Sequence, residues 1–253
     1  MLDVPLAERR AAASAIWRAA RQERGAERSI LLASTFRSGS TYVALMLERN
    51  GVSGLDIERF AEAWRFMDPP LGEAFAAFLR EVLGAVDQGL FTSKVMWPHL
   101  GYLARSMGYG RPEAVAVADL FAPARWVHVC RQDKFSQAIS FWRAKQSGRW
   151  HVFGGDPSPE PQPDYDFAAI RAALQEIEMH DRLWEDFFAQ AGITPFRVIY
   201  EEMEADPVGG MARLLDHLGL ASAAPLATVA LRKQRDAHSA ALRDRFLDDL
   251  YRA

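Results

Sequence analysis

Arg37, Ser38, Gly39, Ser40 and Thr41 stand together between two apolar stretches. The run before them, Ser29-Ile30-Leu31-Leu32-Ala33-Ser34, reads as a buried parallel strand, and a helix is expected from about Ser40 to Asn50. A strand, a turn of small residues and a helix start make an anion site. The first helical amides have no intrahelical acceptor, and the helix dipole adds positive potential there. The hydroxyls of Ser38, Ser40 and Thr41 supply further donors, Gly39 lets an anion approach the backbone, and Arg37 brings a two-pronged cation. Taken alone, the same residues also read as a serine-rich helix cap beside a surface arginine.

The nucleoside-triphosphate form of this device, GxxxxGK[ST], is not met: no lysine precedes Ser40 or Thr41, and the loop is shorter. No apolar strand ends in a clear magnesium-binding aspartate. Donor chemistry without a metal is therefore favoured over a kinase or ATPase. A second cationic point is Arg131, just after the expected strand Arg125 to Cys130, where a guanidinium can meet another phosphate. Its plain alternative is pairing with Asp133. Ser140 lies about two and a half turns along the helix expected from Lys134 to Gln146, and reaches the same ligand only if that helix packs beside it.

The elements that must position these residues alternate between strand and helix. Helices are expected over about 6–24 (Leu6, Ala13, Ile16, Trp17 and Ala20 near one face), 72–87, 166–191 and 236–251. Further strands are expected at Leu90 to Met96 and Phe196 to Tyr200. Asp206-Pro207 opens another helix, which Gly219 ends. Residues 154–164 hold Pro157, Pro159, Pro161 and Pro163 and read as an irregular loop. The alternation predicts an α/β fold of three layers, a parallel P-loop-like sheet with helices on both faces and ligands beyond the carboxyl ends of its strands.

Composition narrows the function. A chain of 253 residues, 49% hydrophobic and 25% charged, suits one α/β domain, 1–253. A net charge of −3 gives no global attraction for nucleic acid or anionic membrane, so any affinity for phosphate is local. The single cysteine, Cys130, excludes an intrachain disulfide and a cysteine-rich zinc site and is expected to be inert. The six histidines lack HExxH spacing. His99 is read as packing near a pocket and His128 as core. Among Trp64, Trp97, Trp142 and Trp150, the last is the best pocket-rim residue and Trp142 the best core residue. No stretch is long and apolar enough to span a bilayer or serve as a signal peptide, so a cytoplasmic protein without stable membrane insertion is expected.

The ordered motifs resemble those of the bacterial trehalose sulfotransferase family. Thr35-Phe36-Arg37-Ser38-Gly39-Ser40-Thr41 looks like its 5′-phosphosulfate loop, and Arg131-x-Asp133-Lys134-x-x-Gln137-Ala138-x-Ser140-x-Trp142-Arg143-Ala144 like its 3′-phosphate segment. Lys94-Val95-Met96-Trp97, Tyr200-Glu201-Glu202 with Asp206-Pro207, and Gln234-Arg235-Asp236 follow in order. The resemblance implies a sulfotransferase fold and transfer of a sulfuryl group from adenosine 3′-phosphate 5′-phosphosulfate (PAPS), without a metal, to a carbohydrate or glycolipid hydroxyl. It also implies a possible homodimer. It assigns Arg37, Ser38, Gly39, Ser40 and Thr41 to the phosphosulfate and Arg131 and Ser140 to the 3′-phosphate. The C-terminal segment, about 228–253, would add Arg232, Lys233 or Arg235 beyond a core of about 29–220. Glu58 falls on the family's proposed base, with Asp56 replacing a proline and Arg59 an aromatic; these departures bear on the acceptor. Lys94 is a candidate for the bridging oxygen or the acceptor. The rival functions are a P-loop-like kinase and a non-catalytic nucleotide-binding protein.

Overall fold

A computed structural model describes residues 5–67, 72–109, 113–150, 163–220, 226–229 and 237–252. Four strands, β1 (Arg28–Ser34), β2 (Leu90–Met96), β3 (Ala124–Cys130) and β4 (Phe196–Ile199), form one sheet in the order β2-β1-β3-β4. Every pairing is parallel, with Leu32 of β1 opposite Lys94 of β2 and Val127 of β3. Parallel strands need crossovers, and helices supply them: α2 (Ser40–Arg49) and α3 (Glu73–Val82) between β1 and β2, α4 (Trp97–Ser106) and α5 (Ala114–Phe121) between β2 and β3, and α6 (Lys134–Ser147) and α7 (Phe167–Ala191) between β3 and β4. The helix α1 (Leu6–Glu23) precedes the sheet, and α8 (Tyr200–Ala205), α9 (Pro207–Leu218) and α10 (Ala237–Arg252) follow it.

The pleat sorts the core into two layers. Leu31 and Ala33 of β1 face a cluster with Trp17, Phe60, Leu79, Phe91, Leu103, Trp126 and Trp184, so α1, α3, α4, α5 and α7 lie on that side. Ile30 and Leu32 face the other, with Val43, Leu47, Val129, Val198 and Leu214 from α2, β3, β4 and α9. This is the three-layer arrangement expected from the alternation. A third cluster joins α6, α7 and α10 through Phe141, Trp142, Ile170, Leu242 and Phe246.

Local chemistry sets most boundaries. Asp206 Oδ1 accepts from the Gly209 amide 2.9 Å away, and Pro207 follows as the first helical residue. The helix expected over 72–87 stops at Val82 and tightens into a 3₁₀ turn at Leu83–Ala85. Tyr200, expected in the last strand, opens α8 instead. Besides α8, two helices come from residues given no element in the sequence: α4, which begins Trp97-Pro98, and α5. Most of the proline-rich stretch 154–164 lies outside the described residues. No described helix is long and apolar enough to cross a membrane.

Trp184 ties α7 to the functional edge of the sheet. It is fully buried, stacks on Phe188, meets Trp97 edge-on, and donates from Nε1 to the carbonyl of Ser34 over 3.0 Å. Truncating such a ring removes buried area and leaves both a cavity and a buried carbonyl without its donor. Trp184→Ala should lower unfolding stability in urea by about 3–5 kcal/mol; a loss below about 1 kcal/mol would show that this packing is not what holds the strand end.

Candidate functional site

The loop after β1 is held from three sides. Thr35 Oγ1 donates to Asp181 Oδ1 of α7 over 3.0 Å and accepts from Gln137 Nε2 of α6 over 3.1 Å. Gln137 also donates to the Phe36 carbonyl over 2.8 Å, and Lys134 pairs with Asp181. The Phe36 ring stacks on Phe141 of α6 at 5.2 Å. Arg37 donates from Nε to Ser140 Oγ over 2.9 Å and from Nη1 to the Trp150 carbonyl, while its own carbonyl accepts from Arg131 Nη1 over 3.2 Å. The condition set by helical spacing is thus met: α6 packs beside the loop, and Arg37 links Ser140 to Arg131.

This bracing supports an unusual backbone. Arg37 sits at φ +61° and Gly39 at φ +92°, a left-handed region that costs about 1–3 kcal/mol for a residue with a side chain. Gly39 caps α2 without a side-chain hydrogen bond, and the amides of Gly39, Ser40 and Thr41 have no partner among the described residues. Ser38 is buried, and its hydroxyl also lacks a partner among them. A partly buried donor cluster without acceptors among the described residues is suited to an anion, which would satisfy several groups at once.

At the end of β3, Arg131 is 9% exposed, lies 3.8 Å from Glu201 through Nε, and sits 5.5 Å above the Tyr200 ring. Glu201 also accepts from the amides of Gln132 and Asp133 at 3.0 and 3.2 Å, so α8 shapes the turn that carries Arg131. Asp133 caps α6 through the Ser136 amide and lies 3.6 Å from Arg243 of α10. Burial alone would raise the Asp133 carboxyl, but the Ser136 hydrogen bonds and the charges of Arg243 and Arg131 bring it below its ordinary value. On the other side, Tyr200 closes on Gly39, where a Cβ would overlap the ring.

Glu58 enters from the segment crossing the free edge of β2. Thr92 Oγ1 donates to the Ser53 carbonyl over 2.7 Å, the Lys94 amide to the Ile57 carbonyl over 3.1 Å, and Arg59 Nε to the Thr92 carbonyl over 2.9 Å. Arg59, read from sequence as bearing on the acceptor, thus uses its Nε to hold this segment to the sheet. Glu58 Oε1 lies 3.1 Å from Lys94 Nζ, which in turn donates to Thr41 Oγ1 over 3.3 Å. His99 of α4 adds its Nδ1 at 3.5 Å from Glu58 Oε2, outside hydrogen-bonding geometry. Burial pushes the His99 imidazole below its ordinary value, against Glu58 and with Lys94, so it is neutral at pH 7. His99 also packs edge-on to Phe36 at 6.1 Å, uniting the packing role expected of it with a place beside Glu58.

Residues 29–249 match the model of the Stf0 sulphotransferase family. The chain belongs to that family. It is similar to the trehalose 2-sulfotransferase of Mycobacterium tuberculosis, 29% identical over 142 residues, which are 54% of this chain and 53% of that protein. The chain therefore spans about half the length of that relative. The trehalose 2-sulfotransferase of Mycolicibacterium smegmatis is 26% identical over 226 residues, 75% of this chain and 83% of the relative. Among solved structures, the sulfotransferase domain from the curacin biosynthetic pathway superposes with a TM-score of 0.44 at 17% identity, covering 83% of this chain and 81% of that one.

In this Stf0-family chain, Arg37, Ser38, Gly39, Ser40, Thr41, Lys94, Glu58, Arg131 and Ser140 converge at the carboxyl ends of β1, β2 and β3. Arg232, Lys233 and Arg235 lie outside the described residues. The described chain on either side is anchored: the Ala227 amide donates to Asn50 Oδ1 over 3.1 Å, and Ser239 bonds Arg143 of α6. Trp142 belongs to the packed interior and Trp97 packs, partly buried, against Trp184, whereas Trp150 is 36% exposed and tilts against Phe36 at 5.4 Å. His128 is buried and pushed down to about 4, chiefly by burial. Burial raises the half-buried Cys130 thiol to about 11, which keeps it protonated and unreactive.

Sequence reasoning gave no role to Asp181, Gln137 or Glu201, which brace the loops rather than face a ligand. Glu201 carried a trace of signal, following β4 in a quoted motif; Asp181 carried none, as one more carboxylate on a long helix. The steric fit of Gly39 to Tyr200 can be tested by a double-mutant cycle. Gly39→Ala should destabilise the protein by about 1–3 kcal/mol in chemical denaturation. In a Tyr200→Ala background only the left-handed backbone cost, about 1 kcal/mol, should remain. An equal cost in both backgrounds would exclude the contact.

Proposed function

We propose that this chain is a PAPS-dependent sulfotransferase that acts on a carbohydrate hydroxyl. The observation carrying the reading is the short chain of groups from the anion loop to a carboxylate: Thr41, then Lys94 at 3.3 Å, then Glu58 at 3.1 Å. Transfer of a charged group needs donors for the leaving side and a base for the attacking side, within reach of one another. The names of the two mycobacterial relatives favour a sugar acceptor, whether trehalose, a glycolipid or a polysaccharide.

The residues present suit the donor. Open amides at Gly39–Thr41 and the buried Ser38 hydroxyl fit the phosphosulfate, and Arg131 with Ser140 fits the 3′-phosphate. Arg232, Lys233 or Arg235 would complete the nucleotide site from the C-terminal segment. PAPS supplies the sulfuryl group and leaves as adenosine 3′,5′-bisphosphate. Glu58 takes the proton of the acceptor hydroxyl as its oxygen bonds to sulfur and the bond from sulfur to the 5′-phosphate breaks. Arg37 and the loop amides then offset the charge gathering on the leaving phosphate. Trp150, partly exposed beside Phe36, offers an apolar surface for the carbon-bound hydrogens of a sugar.

Mass-spectrometric detection of sulfated trehalose and related sugars, with PAPS and a chelator, tests the reading. Transfer should proceed with the chelator present, and Glu58→Gln should lower turnover about 10²–10⁴-fold while nucleotide binding is retained. Unchanged turnover in Glu58→Gln would remove Glu58 as the base. Phosphate transfer from ATP that stops with the chelator would replace a sulfotransferase with a kinase.

A further inference from the structure

Lys94 has two claimants. It is 1% exposed on β2, and it reaches Thr41 Oγ1 in the anion loop and Glu58 Oε1 in the segment along the edge of β2. An ammonium has three N–H groups, and its third has no partner among the described residues. A charge buried this deeply needs an anion beside it. Among the described residues, Glu58 is the carboxylate within ion-pair distance of Lys94. His99 also faces Glu58, but burial keeps that imidazole neutral at pH 7, which leaves Lys94 as the cation neutralising the carboxylate.

We propose that Lys94 is a shared counter-charge that couples occupancy of the anion loop to the freedom of Glu58 to act as a base. With the loop empty, Lys94 is committed to Glu58. An anion bound against Thr41 draws on the same ammonium through its uncommitted N–H, and two anions then divide one cation. Glu58 loses part of its counter-charge, and its oxygen is released toward the acceptor hydroxyl. The base is thereby armed when the donor is in place, and before that it stays neutralised. This inference rests on the donor reading above and adds a specific consequence. The Glu58 carboxylate, although required for turnover, opposes binding of the nucleotide, because it competes for Lys94.

Calorimetric titration of the full chain with adenosine 3′,5′-bisphosphate, in a cycle of Glu58→Gln, Lys94→Met and the double variant, tests the coupling. Glu58→Gln should bind this nucleotide about threefold to tenfold more tightly than the unmodified chain, a gain that general disruption of the fold would not give. Lys94→Met should bind more weakly, and adding Glu58→Gln to it should restore nothing. A gain from Glu58→Gln that persists without Lys94 would mean simple repulsion between carboxylate and ligand, and would overturn the proposal. So would unchanged or weaker binding by Glu58→Gln alone. The absence of a gain in Glu58→Gln overturns the proposal even if Lys94→Met fails to fold, because the Glu58 side chain is partly exposed and its replacement spares the core. Binding by the unmodified chain with no gain in Glu58→Gln would leave the donor reading standing and remove only the shared cation. No binding by the unmodified chain would remove both.

Discussion

The first amides of α2 can stay without acceptors only if the loop before them is prevented from folding back onto them. Here that restraint comes from side chains, because Arg37 and Gly39 hold left-handed conformations that the backbone alone would not favour. Gln137 and Asp181 fix Thr35 and Phe36, Ser140 and Arg131 fix Arg37, and Tyr200 fills the space a side chain at Gly39 would need. These groups come from α6, α7, β3 and α8, so the loop geometry depends on how those elements meet. The sheet brings their ends together, and Trp184 locks α7 to the last carbonyl of β1.

The same elements explain how a chain of net charge −3 builds a site for anions. Its cations are local, and three of them are set against carboxylates: Lys94 with Glu58, Arg131 with Glu201, Lys134 with Asp181. A group held in this way needs little rearrangement when a ligand arrives, which favours preorganised electrostatics over adaptation. It also means that the proposed base and the proposed donor site share an electrostatic environment through Lys94.

Much of this was legible in the sequence, and for a physical reason. β1, the loop and α2 are written in consecutive residues, as an apolar run, a cluster of small polar residues and an amphipathic stretch. The start of α9 is as local, in Asp206 and Pro207. What failed depended on distance or on weak periodicity. α4 and α5 are 10 and 8 residues long, and α4 carries Pro98 in its first turn and Gly101 in its middle. The helix from Glu73 tightens beyond Val82, beside Gly84, although its apolar spacing continues. The contact of Thr35 with Asp181 spans 146 residues, and no pattern near either one announces it. Arg59 is a further case. Its place in a motif pointed to the acceptor, and its Nε also ties the segment to a carbonyl of β2, a contact 33 residues away in sequence.

The central claim is that the two cationic points joined by Arg37 form one site for a nucleotide carrying both a 5′- and a 3′-phosphate. Calorimetric titration of the unmodified chain with adenosine 3′,5′-bisphosphate, 5′-AMP and ATP, without added metal, addresses it most directly. The account predicts that the bisphosphate binds and that removing its 3′-phosphate weakens binding about tenfold or more, since Arg131 and Ser140 lose their partner. Equal affinity for 5′-AMP, or a preference for ATP that appears only with magnesium, would contradict it.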